Sequence, residues 1–377
     1  MSRFIQLHIL TSYPACNLNR DDMGRPKTMS LPGGERLRIS SQSLKRAWRC
    51  SEVFQKELGG HLGTRTKEVG KYAWFALTNG VRFSEVLHNP RAEGTLPRLA
   101  PTKATDIARA IGGVFGKIKQ EYKKEKNGEP DADAGKKLLE SLECEQLAHL
   151  TPVELESVEA LVEQCRESGR KPENEALNLL RKEAMSVDIA LFGRMLAASK
   201  DYNVEAAAQV AHAMTVHKVV VEDDFFTAVD DLNQDDSGAG HMGVAEFGAG
   251  LFYLYLCIDR ELLKENLGGD ADLAGRALAA LTRAACTVSP TGKQNSFASR
   301  AVASFCLAEK GDAQPRTLAE AFMKPLQDKD GDVLAAAIQA LEKKRAAFNR
   351  IMGVEPECLR FDQDKGTLAE VAAFVAL

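Results

Sequence analysis

The chain has 377 residues, of which 44% are hydrophobic and 27% are charged, which is typical of a globular protein. Its formal net charge of −4 at pH 7 excludes a wholly basic nucleic-acid binder, so any surface for a polyanion must be local. No run reaches the roughly 18 apolar residues that a membrane helix requires, and we expect a cytoplasmic protein without a signal peptide. The eight cysteines form no C-x-x-C pair, so we expect them to be reduced and mostly buried.

The N-terminal segment predicts a strand and then a long loop. Residues 4–10 alternate between apolar and polar side chains, which indicates a strand buried on one face only. Gln6 and His8 lie on its polar face. A polar segment with several prolines follows at 11–35 and is predicted to be a loop. Loops of this length inside a compact domain are usually functional or mobile.

Residues 36–49 predict a short strand followed directly by a helix, which Ser40 or Ser41 can cap. Arg36 and Arg38 alternate with apolar residues along the strand. The helix and its continuation carry an apolar stripe made of Leu44, Ala47, Trp48, Ser51, Phe54 and Leu58. Roughly 180° away lies a polar stripe made of Gln42, Lys45, Arg46 and Arg49.

The polar stripe of this helix has two interpretations. A solvated basic helix face is the simpler one. However, its cations have no acidic partner four residues on, and the preceding strand adds two arginines. A cationic surface built on rigid elements is what binding to a polyanion backbone requires, so we favour a nucleic-acid interface.

Strand signals are absent from 59–182, which we predict to be a helical insertion. The spacing of apolar residues predicts an amphipathic helix over 153–167. A lysine-rich run at 117–126 also contains Glu121 and Glu125, which favours a solvated helix with i,i+4 ion pairs over an RNA surface.

Strand signals return at Val187. Residues 244–258 are almost continuously apolar and predict a central strand covered on both faces. Residues 206–221 also predict a long extended segment, and the segment between the two, 222–240, is acidic around Phe225 and Phe226. Two long strands joined by such a segment predict a projecting β-arm, on which the two phenylalanines either pack on their own domain or lie exposed.

The C-terminal part mixes helices with short strands. Helices are predicted at 273–286, 332–348 and 368–377, and strands at 302–307 and 358–361. The loop 289–300, SPTGKQNSFASR, lacks the first glycine and the preceding strand of a phosphate-binding P-loop, so nucleotide hydrolysis is rejected. Its cations, Lys293 and Arg300, either contact RNA phosphates or belong to a plain surface loop.

Six stretches of the sequence carry a resemblance to one known family. In chain order they are CNLNRDDMGRPK (16–27), RISSQSLKRA (38–47), VDIALFGRML (187–196), QVAHAMTVHK (209–218), FFTAVDDL (225–232) and HMGVAEF (241–247). They resemble the CasC-type backbone subunit of the type I-E CRISPR surveillance complex, Cascade, a member of the RAMP superfamily. The segment 59–182 and the C-terminal third show weaker likeness.

This resemblance implies an α+β fold whose palm is a modified RRM-like (ferredoxin-like) domain. The palm would be discontinuous, formed by residues 1–58 and 183–377. The insertion 59–182 would be the fingers, and 205–242 would be a thumb that projects from the palm as a β-arm and reaches a neighbouring subunit.

The resemblance also implies a function: a non-catalytic subunit that polymerises along the spacer of the CRISPR RNA (crRNA) and presents its bases for pairing with target DNA. The positions expected to bind the guide are Arg20, Lys27, Ser40, Gln42, Lys45, Arg46 and Arg49, to which the loop adds Lys293 and Arg300. The positions expected at the thumb or between subunits are Val216, Lys218, Phe225, Phe226, Asp230 and Asp231. Expected partners are crRNA, target DNA, further copies of this chain and other Cascade subunits, with no cofactor, metal or membrane.

Two alternatives remain open. Asp21 and Asp22 could serve a metal-dependent RAMP endoribonuclease, whereas the type I-E likeness implies no such activity. The simpler interpretation is that this acidic pair makes salt bridges or contacts the next subunit. A helical scaffold without nucleic acid is the other alternative. His212, His217, His241 and Cys257 match the spacing of no common metal site.

Overall fold

A computed structural model describes residues 2–122, 133–182, 185–228, 241–327 and 331–377. Its strands are β1 (Phe4–Cys16), β2 (Thr28–Leu31), β3 (Gly34–Ile39), β4 (Thr64–Thr66), β5 (Ala148–Leu150), β6 (Ala208–Val210), β7 (Ala213–Thr215), β8 (Glu222–Ala228), β9 (His241–Asp259), β10 (Phe305–Gly311) and β11 (Glu357–Phe361). Its helices are α1 (Ser41–Arg49), α2 (Glu52–Leu58), α3 (Val69–Asn79), α4 (Phe83–His88), α5 (Pro101–Phe115), α6 (Ala134–Glu140), α7 (Pro152–Ser168), α8 (Val187–Phe192), α9 (Arg260–Asn266), α10 (Ala271–Thr287), α11 (Gln294–Phe297), α12 (Val333–Met352) and α13 (Leu368–Ala376). The predicted α+β class is confirmed.

The chain divides into two compact units. The first contains the residues up to Gly59 together with Ala207–Lys264 and Asp270–Leu377, and the second contains Gly60–Ala206 and Glu265–Gly269. The second unit continues past 182, where the sequence pattern ended the insertion. It does so because the N–H of Val187 donates to the carbonyl of His61, which ties this later segment to the start of the unit.

The first unit is built on one antiparallel sheet with the strand order β11-β10-β1-β9-β7-β3-β2. β6 and β8 pair with further parts of the long strand β9. Both neighbours of β1 run antiparallel to it, with Phe4 opposite Asp259 of β9 and Gly311 of β10. The prediction of a covered central strand over 244–258 is therefore confirmed for 251–258, which is largely buried, whereas 244–247 is exposed or half-buried.

β1 corrects two expectations. It is longer than predicted and continues to Cys16, and β2 also falls inside the segment predicted to be a loop. β1 is also buried on both faces, since Gln6 and His8 on its polar face are 6% and 0% exposed. The cover comes from the C-terminal half of the chain, where the backbone N–H of Arg316 donates to Gln6 Oε1.

The helix predicted after β3 is divided in two. Ser40 caps α1 as predicted, because its Oγ accepts the N–H of Ser43 at 3.4 Å. Ser51 Oγ accepts the N–H of Phe54 and donates to the carbonyl of Trp48, so it ends one helix and caps the next. The predicted apolar stripe is confirmed as buried at Leu44, Trp48, Phe54 and Leu58, and α10 packs against α1 and α2.

β8 and the first part of β9 form a two-stranded antiparallel ribbon. Its pairing runs from Glu222 opposite Phe247 to Ala228 opposite His241, and every residue of β8 is exposed. The positions between the two strands, including Asp230 and Asp231, lie outside the described residues.

The second unit contains α3 to α8 around an apolar core, with α7 in the place predicted for the amphipathic helix. Two expectations are wrong here. β4 and β5 pair as a short two-stranded antiparallel sheet in a region predicted to lack strands, and Val187–Phe192 is helical. A short apolar run of this kind does not distinguish a buried helix from a strand. In the charged run, Lys117 and Lys119 are not helical and pair with Glu145 and Glu143 instead.

Two expectations from composition can be compared with these elements. Six of the eight cysteines are buried, Cys50 and Cys358 are exposed, and none forms a disulfide. Within the described residues, no helix is both long enough and apolar enough to cross a membrane.

Candidate nucleic-acid interface

Three segments that carry predicted RNA-binding residues meet in the first unit. Asn19, in the loop after β1, accepts the backbone N–H of Ser40 at 2.8 Å through its Oδ1. Trp48 Nε1 on α1 donates to the carbonyl of Val288 at 3.2 Å. Gly292 lies so close to the loop after β1 that a Cβ there would clash with the carbonyl oxygen of Leu18. Hydrogen bonds between side chains and the main chain, together with the close approach at Gly292, therefore hold the two loops and α1 together.

The loop after β1 is a fixed turn. Asp21 Oδ1 accepts the backbone N–H groups of Met23 and Arg25, both at 2.9 Å. Arg25 also pairs with Glu246 at 3.0 Å, while Arg20 is exposed. The carboxylate of Asp21 thus has a structural role that the sequence pattern did not indicate.

The polar face of α1 is accessible to different degrees. Gln42 and Arg46 are exposed, and Lys45 and Arg49 are half-buried. Burial lowers the pKa of Lys45. No acidic residue lies in the first turn of α1. The Ser40 side chain is buried and serves the helix cap.

The loop between α10 and β10 has an unusual backbone. Lys293 and Ala298 have left-handed conformations with φ of 50° and 47°, and they flank the single turn of α11. Non-glycine residues in this region cost about 1–3 kcal/mol each and persist only where the surroundings impose them. Phe297 of α11 packs on Phe247 at a ring distance of 5.6 Å. Lys293 and Arg300 are both exposed.

The two arginines of β3 differ, which corrects the expectation that both belong to the cationic surface. Arg36 is 0% exposed, and its Nη2 donates to the carbonyl of Phe322 at 3.4 Å. Burial lowers the pKa of Arg36. Arg38 is half-buried and reaches the surface, where its Nη1 donates to His212 Nδ1 at 2.9 Å.

We call the following residues the basic surface: Arg20, Lys27, Gln42, Lys45, Arg46, Arg49, Lys293 and Arg300. They lie on the three segments that the contacts of Asn19, Trp48 and Gly292 join. All belong to the first unit and are exposed or half-buried.

The residues predicted for the thumb fall into three groups. Phe225 and Phe226 are 63% and 43% exposed on the ribbon, and Lys218 is exposed before it. Val216 is 0% exposed inside the core, so its predicted place at a subunit contact is wrong for this conformation. Asp230 and Asp231 lie outside the described residues.

The histidines considered as metal ligands have other contacts. His217 Nε2 accepts the backbone N–H of Leu251 at 3.1 Å, and His212 accepts from Arg38. Burial raises the pKa of the Cys257 thiol to about 11. The side chain of His241 lies outside the described part of the chain. In the described ranges, no three His, Cys, Asp or Glu side chains are grouped as a metal site would require.

Comparison with known proteins identifies the family. The family model of the CT1975-like proteins, a Cas family, matches residues 5–373. The chain belongs to the CT1975-like protein family. No curated protein matches it.

Two solved chains resemble this CT1975-like protein over almost its whole length. One, described as "CRISPR RNA-guided surveillance complex, pre-nicking", is 30% identical with a TM-score of 0.73 and covers 98% of this chain and 95% of its own. The other, described as "CRISPR RNA-guided surveillance complex", is 26% identical with a TM-score of 0.57, and the match covers 98% of this chain and 92% of that one. The resemblance read from the sequence is therefore confirmed at the level of the Cas family and of similarity to chains of surveillance complexes.

Sequence reasoning missed one residue of this CT1975-like protein that touches the predicted interface. The sequence pattern offers His212 only as a metal ligand, whereas the structure joins it to Arg38, next to the basic surface. The signal that could have found it is its position in the stretch 209–218, which carries the family resemblance.

Proposed function

We propose that this protein is a non-catalytic backbone subunit that binds guide RNA through the basic surface. The observation that carries the proposal is the set of contacts, two of them side-chain hydrogen bonds to the main chain, that join the three segments on which the predicted cations lie. Single-stranded RNA is held by cations along its sugar-phosphate backbone, which leaves the base edges available. Such a subunit belongs in the cytoplasm, where the guide is used.

An RRM-like palm of CasC type is part of this proposal. The order of elements β1, α1–α2, β7, β9, α10 and β10 matches the βαββαβ sequence of a ferredoxin-like fold. The four strands lie in the order β10-β1-β9-β7, all antiparallel, as that fold requires. In RRM domains the open face of the sheet binds RNA. Here both faces of β1 are covered, so we place the RNA on the α1 side and its loops instead.

We further propose that copies polymerise head to tail along the crRNA of a type I-E Cascade. The exposed ribbon of β8 and β9 is the thumb that reaches the neighbouring copy, with Phe225 and Phe226 at its surface. Bases between thumbs then pair with target DNA, so sequence is read by base pairing and the protein reads the backbone. The similarity to chains of two RNA-guided surveillance complexes supports this assembly.

Charge reversal on α1 tests the RNA-binding part of the proposal. A variant with Lys45, Arg46 and Arg49 changed to Glu should co-purify with little guide-length RNA, as measured by the ratio of absorbance at 260 and 280 nm. The matched control reverses three exposed cations of the same unit, Lys264, Lys343 and Arg350. Equal RNA content in both variants and the unaltered chain would remove the proposal.

The non-catalytic part has its own test. Because Asp21 Oδ1 is engaged by two backbone N–H groups, we expect no Mg²⁺-dependent cleavage of labelled RNA. Cleavage that disappears when Asp21 and Asp22 are both changed to Ala would favour the endoribonuclease alternative.

A further inference from the structure

Three donor-bearing residues lie at one end of three adjacent strands. Lys27 directly precedes β2, Arg38 is next to last in β3, and His212 directly precedes β7. The three strands are neighbours in the sheet, in the order β7-β3-β2. The backbone N–H of Arg38 donates to the carbonyl of Lys27 at 2.8 Å, which fixes two of the three residues side by side.

The guanidinium of Arg38 is held in one orientation by two acceptors. Its Nε donates to the carbonyl of Thr28 at 3.3 Å, and its Nη1 donates to His212 Nδ1 at 2.9 Å. Since Nδ1 of His212 accepts, its ring hydrogen is on Nε2, which is left to donate elsewhere. Burial lowers the pKa of His212, and the nearby charges of Arg38 and Lys27 lower it further, so the ring is neutral at pH 7.

None of these contacts neutralises the positive charge. The acceptors of Arg38 are a carbonyl oxygen and a neutral imidazole, and no described carboxylate pairs with Lys27 or Arg38. No described residue accepts a hydrogen bond from Nη2 of Arg38. All three side chains are exposed or half-buried, so an anion can reach them from solvent.

We propose that Lys27, Arg38 and His212 together form a phosphate-binding site for one phosphodiester of the RNA strand. Arg38 supplies a preorganised guanidinium, Lys27 supplies a second charge, and His212 is a positioning residue that also donates from Nε2. Arg38 lies four residues before Gln42, at the point where β3 leads into α1, so an RNA strand that crosses the basic surface also passes this site. A guanidinium held at two of its nitrogens loses little freedom on binding, which favours Arg over Lys here. The inference rests on the proposed function.

The test uses the full-length chain freed of nucleic acid and a fluorescently labelled, guide-length single-stranded RNA, with affinity measured across a salt series. Arg38→Ala should weaken binding about tenfold and reduce the slope of log affinity against log salt by about 0.7, the value for one phosphate contact on a single strand. Arg38→Lys keeps the charge but not the fork, so it should keep most of the slope and lose affinity.

His212 variants separate positioning from packing. His212→Ala should weaken binding several-fold, because Arg38 loses its acceptor. His212→Asn should restore most of the affinity, because Asn Oδ1 can accept where Nδ1 did. If His212 served folding alone, His212→Ala would change thermal stability without changing the salt slope, and the acceptor in His212→Asn would make no difference.

Two results would overturn the inference. If Arg38→Ala and His212→Ala bind RNA with unchanged affinity and slope while the triple Glu variant of α1 loses RNA, the site is wrong and the proposed function stands. If they bind RNA normally but no longer associate with further copies of the chain, the anion is a carboxylate of a neighbouring subunit. Unchanged binding in the α1 variant as well would remove the proposed function itself.

Discussion

Among the described residues of the first unit, arginine and histidine side chains lie together in an interior group and in a surface group. The interior group is centred on Glu309 of β10. His8 Nε2 donates to Glu309 Oε2 at 3.2 Å, Arg316 Nη1 donates to the same oxygen at 2.7 Å, and Arg345 Nε donates to Oε1 at 2.7 Å. Burial raises the pKa of Glu309, but the hydrogen bonds from His8 and Arg316 outweigh it and hold that pKa well below its usual range.

The surface group, Arg38 with His212 beside Lys27, has no residue equivalent to Glu309. Arg38 is oriented by two acceptors, whereas Arg316 is held by Glu309 and Asn349, and no described carboxylate pairs with Arg38. A buried ion network that satisfies itself stabilises one chain, whereas an oriented cation group without an anion is suited to bind one. The presence of the carboxylate therefore separates a structural group from a binding group.

Replacing the Glu309 carboxylate should strongly destabilise the first unit. Glu309→Gln leaves Arg316 and Arg345 with uncompensated buried charge, and we expect the free energy of unfolding to fall by about 3–5 kcal/mol. Urea denaturation measures this loss. The control is Glu357→Gln, an exposed residue 3.8 Å from Lys310, which should cost less than about 1 kcal/mol. Equal losses in the two variants would mean that the network does not stabilise the fold.

Arg36 is an intermediate example, because it is buried like the interior group and lacks an acid like the surface group. No described residue accepts from its Nε or Nη1. Arg36→Met should therefore raise the free energy of unfolding of the free chain by about 1–3 kcal/mol, since an unpaired buried charge is replaced by an apolar side chain. Arg316→Met should have the opposite sign, because it removes a partner of Glu309. A loss in both variants would show that Arg36 is satisfied in solution.

Arg36 also shows what a sequence can and cannot predict. The alternation in 36–39 and the helical spacing after it depend on neighbouring residues, and they correctly placed Leu44 and Trp48 in the core. Alternation assigns Arg36 to a face of the strand but does not say what covers that face. The cover is Phe322, which lies 286 residues away in sequence.

The same limit explains the other differences. β1 was expected to be half-buried because Gln6 and His8 are polar, yet both are buried by segments from the far end of the chain. The helical spacing after β3 correctly placed the polar face of α1 at the surface, because those residues lie on one local motif. The contact between Arg38 and His212 joins residues 174 apart, and no local pattern indicates it.

The pH dependence of stability should report His8. Burial lowers the pKa of His8, so the folded chain holds it neutral while the unfolded chain binds a proton near pH 6.5. Stability is then lost as the pH falls below that value, by about 1 kcal/mol between pH 6.5 and 5.5. Denaturation at several pH values measures this slope. His8→Gln, which can still donate to Glu309, should reduce the slope, and an unchanged slope would assign it to other groups such as His212.

The smallest effect should come from the ribbon. Phe225 is 63% exposed and sits opposite Val244, which is 61% exposed, so Phe225→Ser should change the unfolding free energy of the free chain by less than about 1 kcal/mol. Phe322→Ala, at a fully buried ring, should cost about 3–5 kcal/mol and serves as the contrast. A large aromatic side chain that contributes almost nothing to its own fold is available to another molecule. If Phe225→Ser loses assembly on RNA while its stability is unchanged, the ribbon has a binding role, like the surface group. A large loss of stability would instead mean that Phe225 stabilises the fold, as the interior group does.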